Sequence, residues 1–209
     1  MAITNGYCTL AEIKARIRIT DTADDTALEL AVESASRAID HHCTRRFYLD
    51  AATSARTYNV PRGGVLLGDT LCIDDYDPAT TPTVKVDDND DGVYETTLVA
   101  ATDYVAEPLN ASNVEPGPKN ELRFLSRAVQ QSLTGRAEVQ VTAKWGWPSV
   151  PTAVKQACET IAIDLFKAKD APFGVAGSSD FGTLRIRSDI AAHAAMLLRT
   201  YRRHVHGIG

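Results

Sequence analysis

No apolar run in this chain approaches the ~18 residues needed to cross a bilayer. The opening residues, MAITNGYCTL, hold no basic segment with an apolar stretch behind it, so a secretory signal is not expected. There is no CxxC pair and no GxSxG elbow. No glycine-rich loop runs into Lys-Ser or Lys-Thr, and Gly63, Gly64 and Gly68 read as turn residues. Paired acids are plentiful but lie in Asp-rich turns, where solvation is the default, and nothing selects one pair for chemistry. An enzyme is therefore not expected, nor a cofactor.

What is present is an ordinary globular composition: 209 residues, 44% hydrophobic and 23% charged. That length can bury a core without staples. The net charge of −5 is unevenly placed. Residues 1–52 carry 6 Lys and Arg against 8 acids, residues 53–150 carry 8 against 14, and residues 151–209 carry 8 against 5. An acidic middle opposes phosphate-driven nucleic-acid binding, whereas the basic end suits nucleic acid or an acidic protein surface. The cysteines, Cys8, Cys43, Cys72 and Cys158, are far apart, and reduced, mostly buried thiols are expected.

Helical signals stand at the two ends. Thr9 and Glu12 have capping-box spacing, so a short helix should start near Leu10 with Ile13 and Ile17 on one face. Asp21 or Thr22 can cap a longer helix, with Asp24 and Asp25 in its first turn. Leu28, Val32, Ala35 and Ile39 then step at helical period. A helix after Pro151 carries Val154, Cys158, Ile161 and Leu165, widened by Ala157 and Phe166. A last one, from near Ser188 and Asp189, carries Ile190, Ala194, Leu197 and Tyr201. Such faces are unstable alone and should bury one another.

Between Phe47 and Trp147 the pattern changes to short β-branched and aromatic runs: Arg56–Val60, Thr83–Val86, Val93–Leu98, Leu122–Leu125 and Glu138–Trp145. In the last of these Val139, Val141, Ala143 and Trp145 alternate toward one face. Trp145 and Trp147 are placed at the seam between sheet and helices, with a base-stacking platform as the alternative. The fold class is thus α+β: a small helical bundle from N- and C-terminal helices with an inserted antiparallel β subdomain. The boundaries are 1–50, 51–147 and 148–209, with a flexible or partner-ordered loop over 171–182, APFGVAGSSDFG.

Two local patterns resemble metal sites. Asp87, Asn89, Asp91 and Gly92 match the first positions of a calcium loop, but Leu98 falls where the bidentate acid belongs. A hairpin turn with Gly92 at positive φ explains the same residues, and weak calcium capture on that turn is the alternative. His41, His42 and Cys43 are consecutive on a helix, so they point about 100° apart and cannot converge on one ion. The helix dipole accounts for the histidines there, as for Arg45 and Arg46. His204 and His206 lie in a terminal tail.

The run YCTLAEIKARIRITDTADDTALELAVESASRAIDHHCTRRFY resembles the opening of head–tail connector (adaptor) proteins of long-tailed bacteriophages: short helix, DTADD-like turn, long helix, then a cluster formed here by Cys43, Arg45, Arg46, Phe47 and Tyr48. The run VTAKWGWPSVPTAVKQACETIAIDLFKAKDAPFGV is similar to the family's final strand, its GW-x-x-VP junction and next helix. The middle agrees only in style, with DNDDG as its hairpin. The resemblance implies a structural virion protein at the head–tail interface, made in the host cytoplasm. It implies a ring, usually of twelve copies, beneath the portal protein and above a stopper or tail-completion protein. Genomic DNA would pass through without sequence-specific contact, and no membrane is involved. Relatives dock their C-terminal segment on the portal, which points to Arg199, Arg202 and Arg203; Phe173 and Phe181 of the loop are further partner-binding candidates. The competing reading is a nucleic-acid-binding module using Arg185, Arg187, Arg199, Arg202 and Arg203.

Overall fold

The computed structural model describes residues 3–59, 69–87, 89, 91–111, 117–125, 138–168, 175–178, 182–185 and 192–203. The chain divides into two compact units, Met1–Phe47 with Val150–Gly209, and Tyr48–Ser149.

The first unit holds α1 (Leu10–Ile17), α2 (Asp25–Cys43), α3 (Thr152–Ala168) and α4 (Ala192–Leu198), with a 3₁₀ turn, Arg199–Tyr201, after α4. Thr9 and Glu12 form the reciprocal capping box that starts α1. The start of α2 lies later than Asp21 or Thr22. Asp24 occupies its N-cap without a side-chain bond, and the Asp21 carboxylate instead accepts the Ala23 N–H. Leu28, Val32, Ala35 and Ile39 are all fully buried, and α2 packs on α3 through them. Each large member of that stripe contributes roughly 1.5–3 kcal/mol by leaving water. Pro151 sits just ahead of α3, not in its first turn; its carbonyl accepts the first helical bond, from Lys155 at 3.0 Å.

Val154, Ala157, Cys158, Ile161 and Ala162 form the buried stripe of α3, while Leu165 is 45% exposed. In α4 the buried positions are Ala194 and Leu198, not Leu197. The tightening into 3₁₀ geometry after Leu198 then carries Tyr201 onto Phe47, ring centroids 5.8 Å apart and edge-on. Ile190 lies outside the described residues.

Ion pairs tie α1 to its neighbours: Lys14 to Asp25 at 2.6 Å, Arg16 to Glu159, and Glu12 to Lys155. The Lys155 ammonium, above all other causes, holds the Glu12 carboxyl below its ordinary range. The folded chain thus binds that proton less tightly than the unfolded one. The associated stability is complete above the ordinary glutamate pKa and is lost as pH falls through the folded value. Because both side chains are half-exposed and solvent screens the pair, Glu12→Gln should cost only about 0.5–1 kcal/mol at neutral pH. It should also flatten the acid limb of stability against pH, as read by urea unfolding between pH 3 and 7.

The second unit contains two antiparallel sheets. One has the order β1 (Ser54–Asn59), β7 (Glu138–Ala143), β3 (Thr83–Val86), β4 (Thr96–Leu98). The other has the order β2 (Thr70–Tyr76), β6 (Lys119–Phe124), β5 (Tyr104–Glu107). In register, Val84 faces Val141 and Val86 faces Val139. As the alternation of β7 predicts, Val139, Val141, Ala143 and Trp145 are buried; they join Leu71, Ile73, Val84, Leu122 and Phe124 in one core.

Trp145 is inside this core, packed on Tyr76 and Tyr58 and covered by Arg56 at 4.4 Å, with its indole N–H donating to the Ser54 carbonyl. The Trp147 N–H donates to the buried Asp75 carboxylate at 3.0 Å. The expected run Val93–Leu98 shortens to Thr96–Leu98, because the Val93 N–H is taken by the Asp91 side chain.

A third pair, β8 (Val175–Ser178) with β9 (Gly182–Arg185), is an antiparallel hairpin where the sequence reading places a loop.

Candidate functional site

Three stretches distant in sequence converge at the C-terminal end of α2. Tyr7, just ahead of α1, donates its hydroxyl hydrogen to Asp40 and accepts the Phe47 N–H at 2.9 Å. Its ring meets Phe47 edge-on at 5.7 Å. Phe47 in turn meets Tyr201. The Arg203 N–H donates to the Cys43 carbonyl at 2.9 Å, one of the carbonyls left unpaired by the helix end. The aromatic stack thus anchors the turn that carries Arg199, Arg202 and Arg203.

Arg199 and Arg202 are exposed and Arg203 is half-buried. Arg45 and Arg202 both act on the Cys43 thiol, and Arg46 on the Asp40 carboxyl, so guanidinium groups gather around this end of the helix. Burial nonetheless pushes the Cys43 thiol up to about 11, which makes it a packing residue, not a nucleophile. Burial likewise raises the Asp40 carboxyl above its ordinary value, more than Tyr7 and Arg37 lower it. An anchored group of planar, permanently charged donors suits carboxylates on a protein surface or phosphates. Phe173, Phe181 and Arg187 lie outside the described residues, as do His204 and His206; Arg185 ends β9.

The acidic hairpin is a turn held by its own side chains. Asp87 is buried, and its carboxylate accepts N–H groups from Asn89 at 3.2 Å, Asp91 at 3.3 Å and Gly92 at 2.8 Å. Asn89 accepts the Asp91 N–H, and Asp91 that of Val93. Gly92 has φ of +86°, as a hairpin of this kind requires. No cluster of three metal-ligating side chains occurs among the described residues, at His41–Cys43 or here. Asp87→Ala should cost about 2–3 kcal/mol by orphaning these amides, measurable in denaturant melts, and calcium should leave the wild-type melting temperature unchanged.

Sequence reasoning missed the part played by Tyr7, Asp40 and Tyr201. Their only signal was the aromatic content of the segments at each end, since contacts between residues 7, 47 and 201 leave no periodicity. It also missed a contact between two of the buried thiols: Cys8 and Cys158 lie sulfur to sulfur at 3.3 Å. Three of the four thiols are buried, as expected; Cys72 is the exposed cysteine, because it points out of β2 between inward Leu71 and Ile73.

Residues 7–66 match the family of phage gp6-like head–tail connector proteins. Two solved chains share the fold. One is from the neck of an empty GTA particle computed with C6 symmetry, with TM-score 0.56, 18% identity, and 99% of this chain and 96% of that chain covered. The other is from the neck of a native GTA particle computed with C12 symmetry, with TM-score 0.51, 16% identity and the same coverage of 99% and 96%. No curated protein matches. The chain therefore matches the head–tail connector family model in its N-terminal part and shares the fold of those two chains along its length.

Proposed function

We propose that this chain is a structural connector of a phage-type particle. It forms a ring at the head–tail interface, binds the portal protein through Arg199, Arg202 and Arg203, and passes DNA through its lumen. The carrying observation is that the segment matched to the connector family contains the Cys43–Phe47 cluster, on which the C-terminal arginines are anchored. The C6 and C12 symmetry of the necks that contain the similar chains supports a ring. A role in assembly also suits a site made of packing and charge without a reactive group. Phe173 and Phe181 are proposed to meet the neighbouring copy, and a stopper or tail-completion protein the opposite side.

In such a ring the acidic β unit lining the channel or its mouth would repel phosphates and keep DNA moving. A continuous basic lumen in the assembled ring would overturn that arrangement.

Native mass measurement of the full chain, alone and with portal protein, tests the docking. A stoichiometric complex is expected. Joint Arg199→Glu, Arg202→Glu and Arg203→Glu substitution should abolish it while leaving the circular dichroism unchanged. Undiminished binding by the triple variant would refute the assignment of the arginines. The competing reading, a nucleic-acid module, draws on the same guanidinium groups. It predicts DNA binding that falls steeply with salt, and the connector reading predicts none at physiological salt.

A further inference from the structure

We propose that Cys8 and Cys158 form an oxidation-driven disulfide that fastens the segment ahead of α1 to the middle of α3. The two residues are 150 positions apart, yet their sulfurs are 3.3 Å from each other in the folded unit. A disulfide needs about 2.0 Å, so closure asks for a movement of little more than an ångström. The surroundings hold both side chains in place. Ser36 lies 3.4 Å from the Cys158 sulfur, donates its own hydroxyl hydrogen to the Val32 carbonyl and accepts the Tyr7 N–H, which fixes the residue next to Cys8. Neither of the other cysteines has such a neighbour among the described residues: Cys43 is buried at the end of α2 and Cys72 faces outward from the β unit.

The oxidant is hydrogen peroxide, small enough to enter on local opening of the segment ahead of α1. Hydrogen bonding with Cys8 lowers the Cys158 thiol from its ordinary value and favours the thiolate there; either sulfur can donate to the other, and exchanging the two roles gives the same disulfide. The Cys158 sulfur attacks one peroxide oxygen and the O–O bond breaks. The departing hydroxide takes up a proton and leaves as water, and Cys158 becomes a sulfenic acid. The Cys8 sulfur then attacks the sulfenic sulfur; the S–O bond breaks and the second water leaves with the Cys8 proton. Two thiols have given up two electrons and one peroxide has become two waters. Under reducing conditions the pair stays open, and it closes when the folded protein meets an oxidising medium. The bond lies within one unit and needs no partner.

The experiment uses the full folded chain carrying Cys72→Ser, which removes the exposed competitor and leaves three thiols. After hydrogen peroxide under native conditions, the protein is unfolded in iodoacetamide, counted for free thiols and mapped without reductant. The expected result is a fall from three free thiols to one and a peptide joining Cys8 to Cys158. The melting temperature should rise by roughly 5–10 °C, reversed by dithiothreitol, because the bond closes a very long loop. Adding Cys8→Ser should remove both the linked peptide and the rise. Full alkylation of Cys8 and Cys158 after peroxide would overturn the proposal, as would a different linked pair or a Cys158 sulfinic acid without a cross-link. The mapping needs no variant at either cysteine, so it decides even if Cys8→Ser fails to fold.

Discussion

Replacing Trp145 by alanine should lower the stability of the β unit by about 3–5 kcal/mol, the upper range for a single core truncation. Trp145 is among the largest fully buried side chains and joins both sheets: it continues β7, and its backbone bridges to Tyr76 at the end of β2. Its removal leaves a cavity against Tyr58 and Tyr76, whose rings lie 6.1 and 6.4 Å away. It also strips the cover from the Arg56 guanidinium and removes the indole donor from the Ser54 carbonyl. Arg56 would retain its ion pairs with Asp74 at 2.7 Å and Asp50 at 3.4 Å, so the loss is one of packing more than of charge. Trp145→Phe keeps a ring in the cavity and should recover more than half of the loss. Urea unfolding followed by tyrosine fluorescence measures both. A cost below about 1 kcal/mol for the alanine variant would mean that the two sheets do not share this core.

The second large effect is at the next residue. Gly146 has φ of +111°, and a Cβ there would stand 1.9 Å from the Tyr48 carbonyl oxygen and 3.0 Å from the Leu49 Cα. These are backbone atoms and cannot rotate away. The Gly146 N–H is also committed, to the Asp75 carbonyl at 2.7 Å, and the Trp145 carbonyl accepts the Asp50 N–H at 2.8 Å. The strand thus runs between two other pieces of backbone at the one place where no side chain fits. Gly146→Ala should therefore cost more than about 3 kcal/mol, or leave the protein insoluble. Gly92→Ala is the control. That glycine also has positive φ, at +86°, but a Cβ there meets nothing within 4 Å. It should cost only about 1 kcal/mol. Equal costs at the two positions would show that backbone conformation, and not the approach of Tyr48, explains the glycine between the tryptophans.

These two residues also mark where sequence reading works and where it stops. The alternation leading to Trp145 and the helical stripe from Leu28 to Ile39 are legible because burial on one face imposes a period of 2 or 3.6 on the chain. The capping box at Thr9 is legible because its partners are three residues apart. Strand β2 is not: a register irregularity between Cys72 and Tyr76 buries Asp75 and Tyr76 in succession, so the run LCIDDY has no clean alternation and its acids resemble a turn. β5 is too short, at Tyr104–Glu107, to carry a period. Leu165 continues the spacing of α3 yet is exposed, since periodicity marks a face but not how far along the helix that face is covered. The site shows the same division. The arginines of the C-terminal turn are visible as charge, but their anchoring through Tyr7, Phe47 and Tyr201 is not. The meeting of Cys8 with Cys158 depends on the segment ahead of α1 lying against α3, two stretches that share no local pattern.

The central claim is that this chain works as a link in a ring and not on a substrate. An image at side-chain resolution of the neck of particles assembled with this chain tests it most directly. The account predicts a closed ring of copies between portal and tail components, with Arg199, Arg202 and Arg203 against the portal. Finding the chain in another part of the particle, or as single copies bound along DNA, would contradict it.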